Sequence, residues 1–193
     1  MPRRTLDNPL VLTVLGRLLE EPAHPYQLYA DLRKRGEHHA AVLNRGSLYN
    51  VVDALAAAGW VAATGQERAG NRPERTVYAL TEAGRAELVR RLDAHIRTPE
   101  REFSAFLGAV SHLGALGPEG AVAALTERSR RLRERTAADA ERLAGVLDSG
   151  VPRLFVIEAE YALHQDRAEA EWVDALADEI RAGGLPWPAG SPA

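Results

Sequence analysis

The sequence predicts a mainly α protein with one small β-hairpin, in which an N-terminal winged helix-turn-helix is followed by a C-terminal domain of long helices. Three observations predict it. Helix-period apolar residues fall in three short segments between positions 9 and 59, two strand-like segments around a basic, Gly- and Pro-punctuated loop come next, and beyond Pro99 the pattern is helical to near the end.

Composition narrows the chemistry. With 46% apolar residues in 193, the chain can build a proper core. It has no cysteine, which excludes disulfides, thiolate chemistry and sulfur-ligated metals. The run "PLVLTVLG" after "MPRR" imitates a secretory leader, but Asp7 interrupts the basic start, Arg17, Glu20 and Glu21 follow at once, and no small-residue cleavage site appears. No window reaches the roughly 18 apolar residues of a membrane span. A cytoplasmic protein is expected.

The first helix is expected from Pro9 to about Leu19. Asp7 or Asn8 can cap it, proline suits its first position, and Leu10, Val14, Leu15, Leu18 and Leu19 share its inner face. "EEPAHP" stops it. The second, "PYQLYADLRKRG", begins at Pro25, turns Leu28 and Leu32 inward, carries Arg33, Lys34 and Arg35 where the helix dipole favours cations, and terminates at Gly36. A loop with His38 and His39 follows; adjacent histidines without a ligand cluster read as solvated, so no metal site is expected. The third helix is "NRGSLYNVVDALAAAGW", ending at Gly59. "WVAAT" and "RTVYAL" then suit short strands, joined by "GQERAGNRPE", and Thr81 with Glu82 and Glu87 nearby opens a fourth helix to about Arg97.

Past Pro99, "REFSAFLGAVSHLGAL" leads to a Gly-Pro break, a long helix from Pro118 to Leu147, a "DSGVP" break, and a last helix from Pro152 to Arg181. On the long helix Val122, Leu125, Leu132, Leu143 and Val146 occupy a and d positions, but Ser129, Thr136 and Asp139 share the seam, too polar for an autonomous coiled coil. On the last, Leu154, Ile157, Tyr161, Ala168, Trp172, Leu176 and Ile180 form a stripe. Two such helices in a hairpin leave apolar surface, and the economical cover is a second copy of the chain. Phe103, Phe106, Tyr161 and Trp172 are the candidates for lining an effector cavity, against the plainer reading of core or dimer seam.

The net charge of −3 hides an asymmetry. Residues 1–92 hold 13 Arg/Lys against 10 Asp/Glu, or +3, while residues 93–193 hold 11 against 17, or −6. The basic half is the one with the winged pattern, so the expected division is a DNA-binding domain at 1–92, a helical dimerisation and effector domain at 93–183, and a disordered tail at 184–193. In a winged helix-turn-helix the third helix enters the major groove and the hairpin touches the DNA backbone or minor groove. With about 100° per residue, Leu48, Val52 and Leu55 fall on one side of the third helix, Gly46, Asn50 and Ala57 on the other, and Tyr49 on the flank. Asn44, Arg45, Ser47, Tyr49 and Asn50 are therefore the candidate contacts. Ser47 can cap or donate to a phosphate, Tyr49 can reach a phosphate with its hydroxyl, and Asn50 can read adenine through a bidentate pair. Arg68, Arg72 and Arg75 supply the wing's cations. Asp53 opposes the scheme, because a carboxylate there repels phosphates unless it points aside or meets a cytosine amino group.

"GSLYNVVDALAAAGWV" resembles the recognition-helix pattern of the PadR family of transcriptional regulators, and "RPERTVYALTEAGR" is similar to that family's wing and following helix start. Gly46, Leu48, Tyr49, Leu55, Gly59, Pro73, Arg75, Tyr78, Leu80, Thr81 and Gly84 match at the family's spacing. Val52 and Trp60 stand where leucine is usual, and "HPY" at 24–26 replaces His-Gly-Tyr, so the backbone must tolerate Pro25. The specific resemblance covers about residues 8–92; the remainder is similar to the longer C-terminal domain of one subfamily by helix pattern and length. The resemblance implies a homodimer joined by its C-terminal helices, usually a repressor, acting on a near-palindromic operator and responsive to a small aromatic or hydrophobic effector. The rival expectation is a winged-helix protein-interaction module without specific DNA binding. No nucleophile motif, P-loop or Gly-rich dinucleotide fingerprint is present, so neither an enzyme nor a cofactor is expected.

Overall fold

The structure, a computed structural model, describes residues 5–34, 44–67, 75–100 and 103–187. The first compact unit, Met1–Arg101, contains α1 (Leu10–Glu20), α2 (Pro25–Lys34), α3 (Arg45–Ala57), β1 (Val61–Glu67), β2 (Arg75–Leu80) and α4 (Glu82–Arg97). The second, Glu102–Ala193, contains α5 (Ala105–Val110), α6 (Gly117–Asp148) and α7 (Ile157–Arg181). The units part after Arg101 rather than after residue 92 because α4 is one unbroken helix whose Leu88 is sunk in the first unit's core.

Local chemistry explains each boundary. Of the two candidate caps for α1, Asn8 is the one used: its Oδ1 accepts from Leu10 N at 2.9 Å. The His-Pro-Tyr departure costs nothing, since Pro25 is the first residue of α2, where its missing N–H would have had no partner, and His24 Nδ1 accepts from Gln27 N at 3.0 Å. The C-terminus of α3 closes on Gly59 at φ +73°, with Trp60 N donating to Leu55 O at 2.9 Å and Gly59 N to Ala56 O at 3.0 Å.

Leu10, Val11, Val14, Leu15 and Leu18 of α1 meet Leu28 and Leu32 of α2, Leu48, Val51, Val52 and Leu55 of α3, Val61 of β1 and Leu88 of α4 in one buried cluster. Arg17 is buried beside it and ties α1 to α2, its Nη2 donating to Asp31 Oδ2 at 2.7 Å and to Glu21 Oε1 at 2.5 Å. Paired on these carboxylates, the guanidinium remains charged even though burial opposes it.

β1 and β2 pair antiparallel, Val61 opposite Leu80 and Glu67 opposite Arg75. β1 runs past the expected "WVAAT" to Glu67 because a bulge between Ala63 and Gly65 absorbs Thr64 without ending the ladder. Ala23 and Tyr78 exchange backbone hydrogen bonds of 3.0 Å, which fastens the α1–α2 turn to β2. α4 starts from Thr81, whose Oγ1 accepts from Gly84 N at 3.0 Å and donates to Gly59 O at 2.7 Å. Gly84 is sterically required: a Cβ there would stand 2.0 Å from Trp60 O.

In the second unit α6 and α7 pack as a hairpin around Ala121, Leu125, Val173, Ala177 and Ile180. Polar ties run beside this seam. Arg135 Nη2 donates to Asp166 Oδ1 at 2.6 Å, and Arg128 and Arg133 pair with Glu169 and Asp174. The inward face of α7 is set beside the apolar stripe rather than on it. Leu163, Ala170, Val173, Ala177 and Ile180 are buried, whereas Leu154, Ile157, Tyr161, Ala168 and Trp172 of the expected stripe lie outward, since the smaller side chains let the helices approach. α7 also starts later than Pro152, after a 3-10 turn at Arg153–Phe155, and the expected helix after Pro99 is cut to α5 plus a second such turn at Leu113–Leu116. The tail expected to be disordered from 184 is held as far as Trp187, whose indole Nε1 donates to Gly114 O at 3.0 Å; residues 188–193 lie outside the described residues. No helix among the described residues is long and apolar enough to cross a membrane.

Candidate nucleic-acid interface

The body and the tip of α3 are built differently. Leu48, Val51, Val52 and Leu55 are fully buried, so the helix cannot slide or rotate without opening the core. Its front carries exposed Arg45, Gly46, Tyr49 and Asn50.

Asn44 is the N-cap. Its Oδ1 accepts from Ser47 N at 2.7 Å and its Nδ2 donates to Ser47 Oγ at 2.8 Å. Capping thus falls to Asn44 rather than Ser47, and because Ser47 Oγ accepts from the amide, its own hydroxyl proton is free to donate outward. Gly46 has room for a Cβ, which would meet only Asn44 Oδ1 at 3.5 Å; open access, and no steric demand, is what it supplies. Asn50 makes no hydrogen bond with the described residues, so both functions of its amide are available.

Arg45 and Arg75 converge although they stand thirty positions apart in sequence. The Arg75 guanidinium lies 4.7 Å from the centre of the Tyr26 ring and that of Arg45 lies 5.6 Å from it. Arg45 also lies 5.2 Å from the Tyr29 ring centre. Tyr26 and Tyr29 are residues that sequence reasoning missed. Their three-residue spacing on α2 was visible, but the arginines they hold come from other elements. Arg68 and Arg72, expected in the wing, lie outside the described residues, as do His38 and His39.

Asp53 is exposed, one turn along from Tyr49 and Asn50, and meets no cation among the described residues. Its carboxylate is therefore a fixed feature of the exposed side of α3.

The four effector candidates separate. Phe106 and Trp172 meet edge to face, ring centres 6.2 Å apart, with the Arg128 guanidinium 3.6 Å from the Phe106 ring centre. Phe103, largely exposed, lies against Gly108, where a Cβ would stand 3.2 Å from its ring. Tyr161 stands apart from Trp172 by about 16 Å along α7, from the 1.5 Å rise per residue, and its hydroxyl accepts from Gln165 Nε2 at 3.0 Å.

Residues 12–90 match the model of the Transcriptional regulator PadR-like family. Bacillus subtilis PadR in complex with operator DNA is similar in fold, with a TM-score of 0.74 at 16% identity, covering 89% of this chain and 98% of that one. The same protein in complex with p-coumaric acid gives 0.72 at 16% identity, covering 89% and 98%. The Vibrio cholerae virulence activator AphA gives 0.62 at 20% identity, covering 90% and 98%. A comparison with curated proteins finds no match. These structural likenesses concern the fold; the family model spans the α1-to-α4 region whose helix tip, glycines and capping threonine are described above. Residues 12–90 match the PadR-like family of transcriptional regulators, and the fold of the chain is similar to that of solved PadR-like regulators.

Proposed function

We propose that the chain is a homodimeric, sequence-specific DNA-binding repressor. The observation that carries this is α3 itself, with four apolar side chains locked in the core and an exposed polar tip. Asn50 reads a base edge, Ser47 and Tyr49 hold phosphates, Asn44 fixes the helix start, and Arg45, Arg75, Arg68 and Arg72 supply charge along the backbone. Two copies, joined through the C-terminal helices, present two α3 tips to half-sites about one helical turn apart. The outward residues of α7 support that role, since a single chain leaves them wet.

Release by a small aromatic or hydrophobic effector is part of the proposal. It draws on the Phe106–Trp172 pair with Arg128 above it, and on a relative solved with p-coumaric acid. A thermal-shift screen of aromatic acids checks it, a stabilising compound that also weakens the DNA complex being the expected result.

Selection of bound fragments from a genomic pool that includes the chain's own promoter tests the main reading. An enriched inverted repeat is expected; recovery of no specific sequence at micromolar protein would sink it. A reporter on the recovered promoter, rising when the protein is removed, checks the sign. The exposed Asp53, which meets no cation among the described residues, favours one alternative, a winged module that docks a partner protein through the same face. Under that reading Asp53→Asn weakens partner capture and leaves DNA retention at background.

A further inference from the structure

We infer that Arg33, Tyr29, Arg45, Tyr26 and Arg75 form a single ladder of alternating cations and rings that pre-sets a clamp for the DNA phosphate backbone, with Tyr26 as its positioning residue. The inference rests on the DNA-binding reading above and names how its cations are held. Tyr26, Tyr29 and Arg33 share one face of α2 by their three- and four-residue steps. Arg45 enters from the first residue of α3 and Arg75 from the first residue of β2. The guanidinium-to-ring distances are 5.9 Å for Arg33 on Tyr29, 5.2 and 5.6 Å for Arg45 on Tyr29 and Tyr26, and 4.7 Å for Arg75 on Tyr26.

Three guanidiniums brought this close repel one another. Many other described arginines settle on carboxylates, as Arg17 on Asp31 and Arg135 on Asp166 show. None of the three ladder arginines forms an ion pair with a described residue. The ring faces offset the repulsion through their quadrupoles, yet unlike a carboxylate they do not occupy the fork of N–H donors. A carboxylate would have consumed them. Such an arrangement presents oriented forks to an external anion, and phosphate oxygens accept them bidentately. Arg33, Tyr29, Arg45 and Tyr26 border a basin of about 320 Å³ that also includes Ala30 and Lys34, and Arg75 extends the ladder from the start of α3 to the wing's second strand.

The test measures affinity for the selected fragment as a function of salt, by fluorescence anisotropy, for wild type, Tyr26→Leu and Tyr26→Phe. Tyr26→Leu is expected to weaken binding about ten-fold, as for two lost exposed cation–ring contacts, and to flatten the log K against log salt slope by about 1 to 2. Tyr26→Phe, which keeps the ring, is expected within about two-fold of wild type. Equal loss in both variants would place the effect in the hydroxyl and overturn the clamp; so would loss in Tyr26→Leu with an unchanged slope. A second readout needs no variant: in the free wild type the Arg45 and Arg75 side-chain protons should be shifted upfield by the Tyr26 ring, and ordinary shifts overturn the ladder. A wild type with no specific complex defeats the DNA-binding reading and the clamp with it. A specific complex indifferent to Tyr26→Leu defeats the clamp alone.

Discussion

The α1–α3 part of the winged unit closes around large apolar side chains, and the C-terminal hairpin does not. In the first, the large apolar residues of α1, α2 and α3 sit at 0 to 3% exposure where they face one another. In the second the buried cluster is small and rich in alanine, while Phe103 is 81%, Leu154 71% and Tyr161 62% exposed. The difference teaches that the two units spend their side chains differently. Burying the body of α3 frees its tip for polar chemistry, whereas Phe103 before α5 and Tyr161 and Trp172 on α7 stay exposed in the single chain.

The comparison is broken most severely inside the winged core. Leu55→Ala is expected to cost about 3 kcal/mol, within the usual range for deleting a fully buried leucine, measured by urea unfolding. Leu154→Ala should change stability by less than about 0.5 kcal/mol in the monomer. Gly84→Ala comes next. With Trp60 O in the way, about 2 kcal/mol of destabilisation is expected from a forced shift of backbone, and a melting temperature equal to wild type would show that α4 docks elsewhere.

Tyr161→Glu sharpens the other side. If the outward face of α7 is the dimer seam, sedimentation should show dissociation at least about 30-fold weaker, the size of a lost interface hot spot. A tight dimer would move the interface.

The smallest effect is a pH one. Hydrogen bonds from Arg90 and then Arg91 hold the Glu87 carboxyl at about 2, and Arg91 also donates to Leu6 O at 2.8 Å. A folded-state value below the unfolded one stabilises above the ordinary glutamate range and loses that stabilisation as pH falls from about 4.3 toward 2. Because Arg90 is largely exposed, solvent screening limits the contribution to about 1 kcal/mol. Glu87→Gln should therefore lower stability at pH 7 and match wild type near pH 2; a constant difference across that range would assign the effect to packing.

Much of the winged unit was legible in the sequence because its constraints are local. The 3.6-residue period marks α1 and α3, Gly59 marks the end of α3, and Thr81 marks the capped start of α4. β1 was legible only to Thr64, since a bulge carries no periodic signature. The stripe of α7 was legible as apolar surface, but the seam beside it was not, because it uses Ala170 and Ala177, whose virtue is smallness. The tip of α3 was readable as polar and exposed, but its capping partner and the tyrosine ladder were not. Both depend on which side chains the tertiary fold brings together, as when α2, α3 and β2 meet around Tyr26.

The most direct measurement of the central claim compares wild type with Asn50→Ala on the selected fragment and on a scrambled duplex over a salt series. Specific affinity should fall by roughly 5- to 150-fold, the worth of one bidentate base contact, while scrambled-duplex affinity and its steep salt slope stay as in wild type. Unchanged discrimination in Asn50→Ala, together with wild-type binding that is indifferent to salt, would contradict the account.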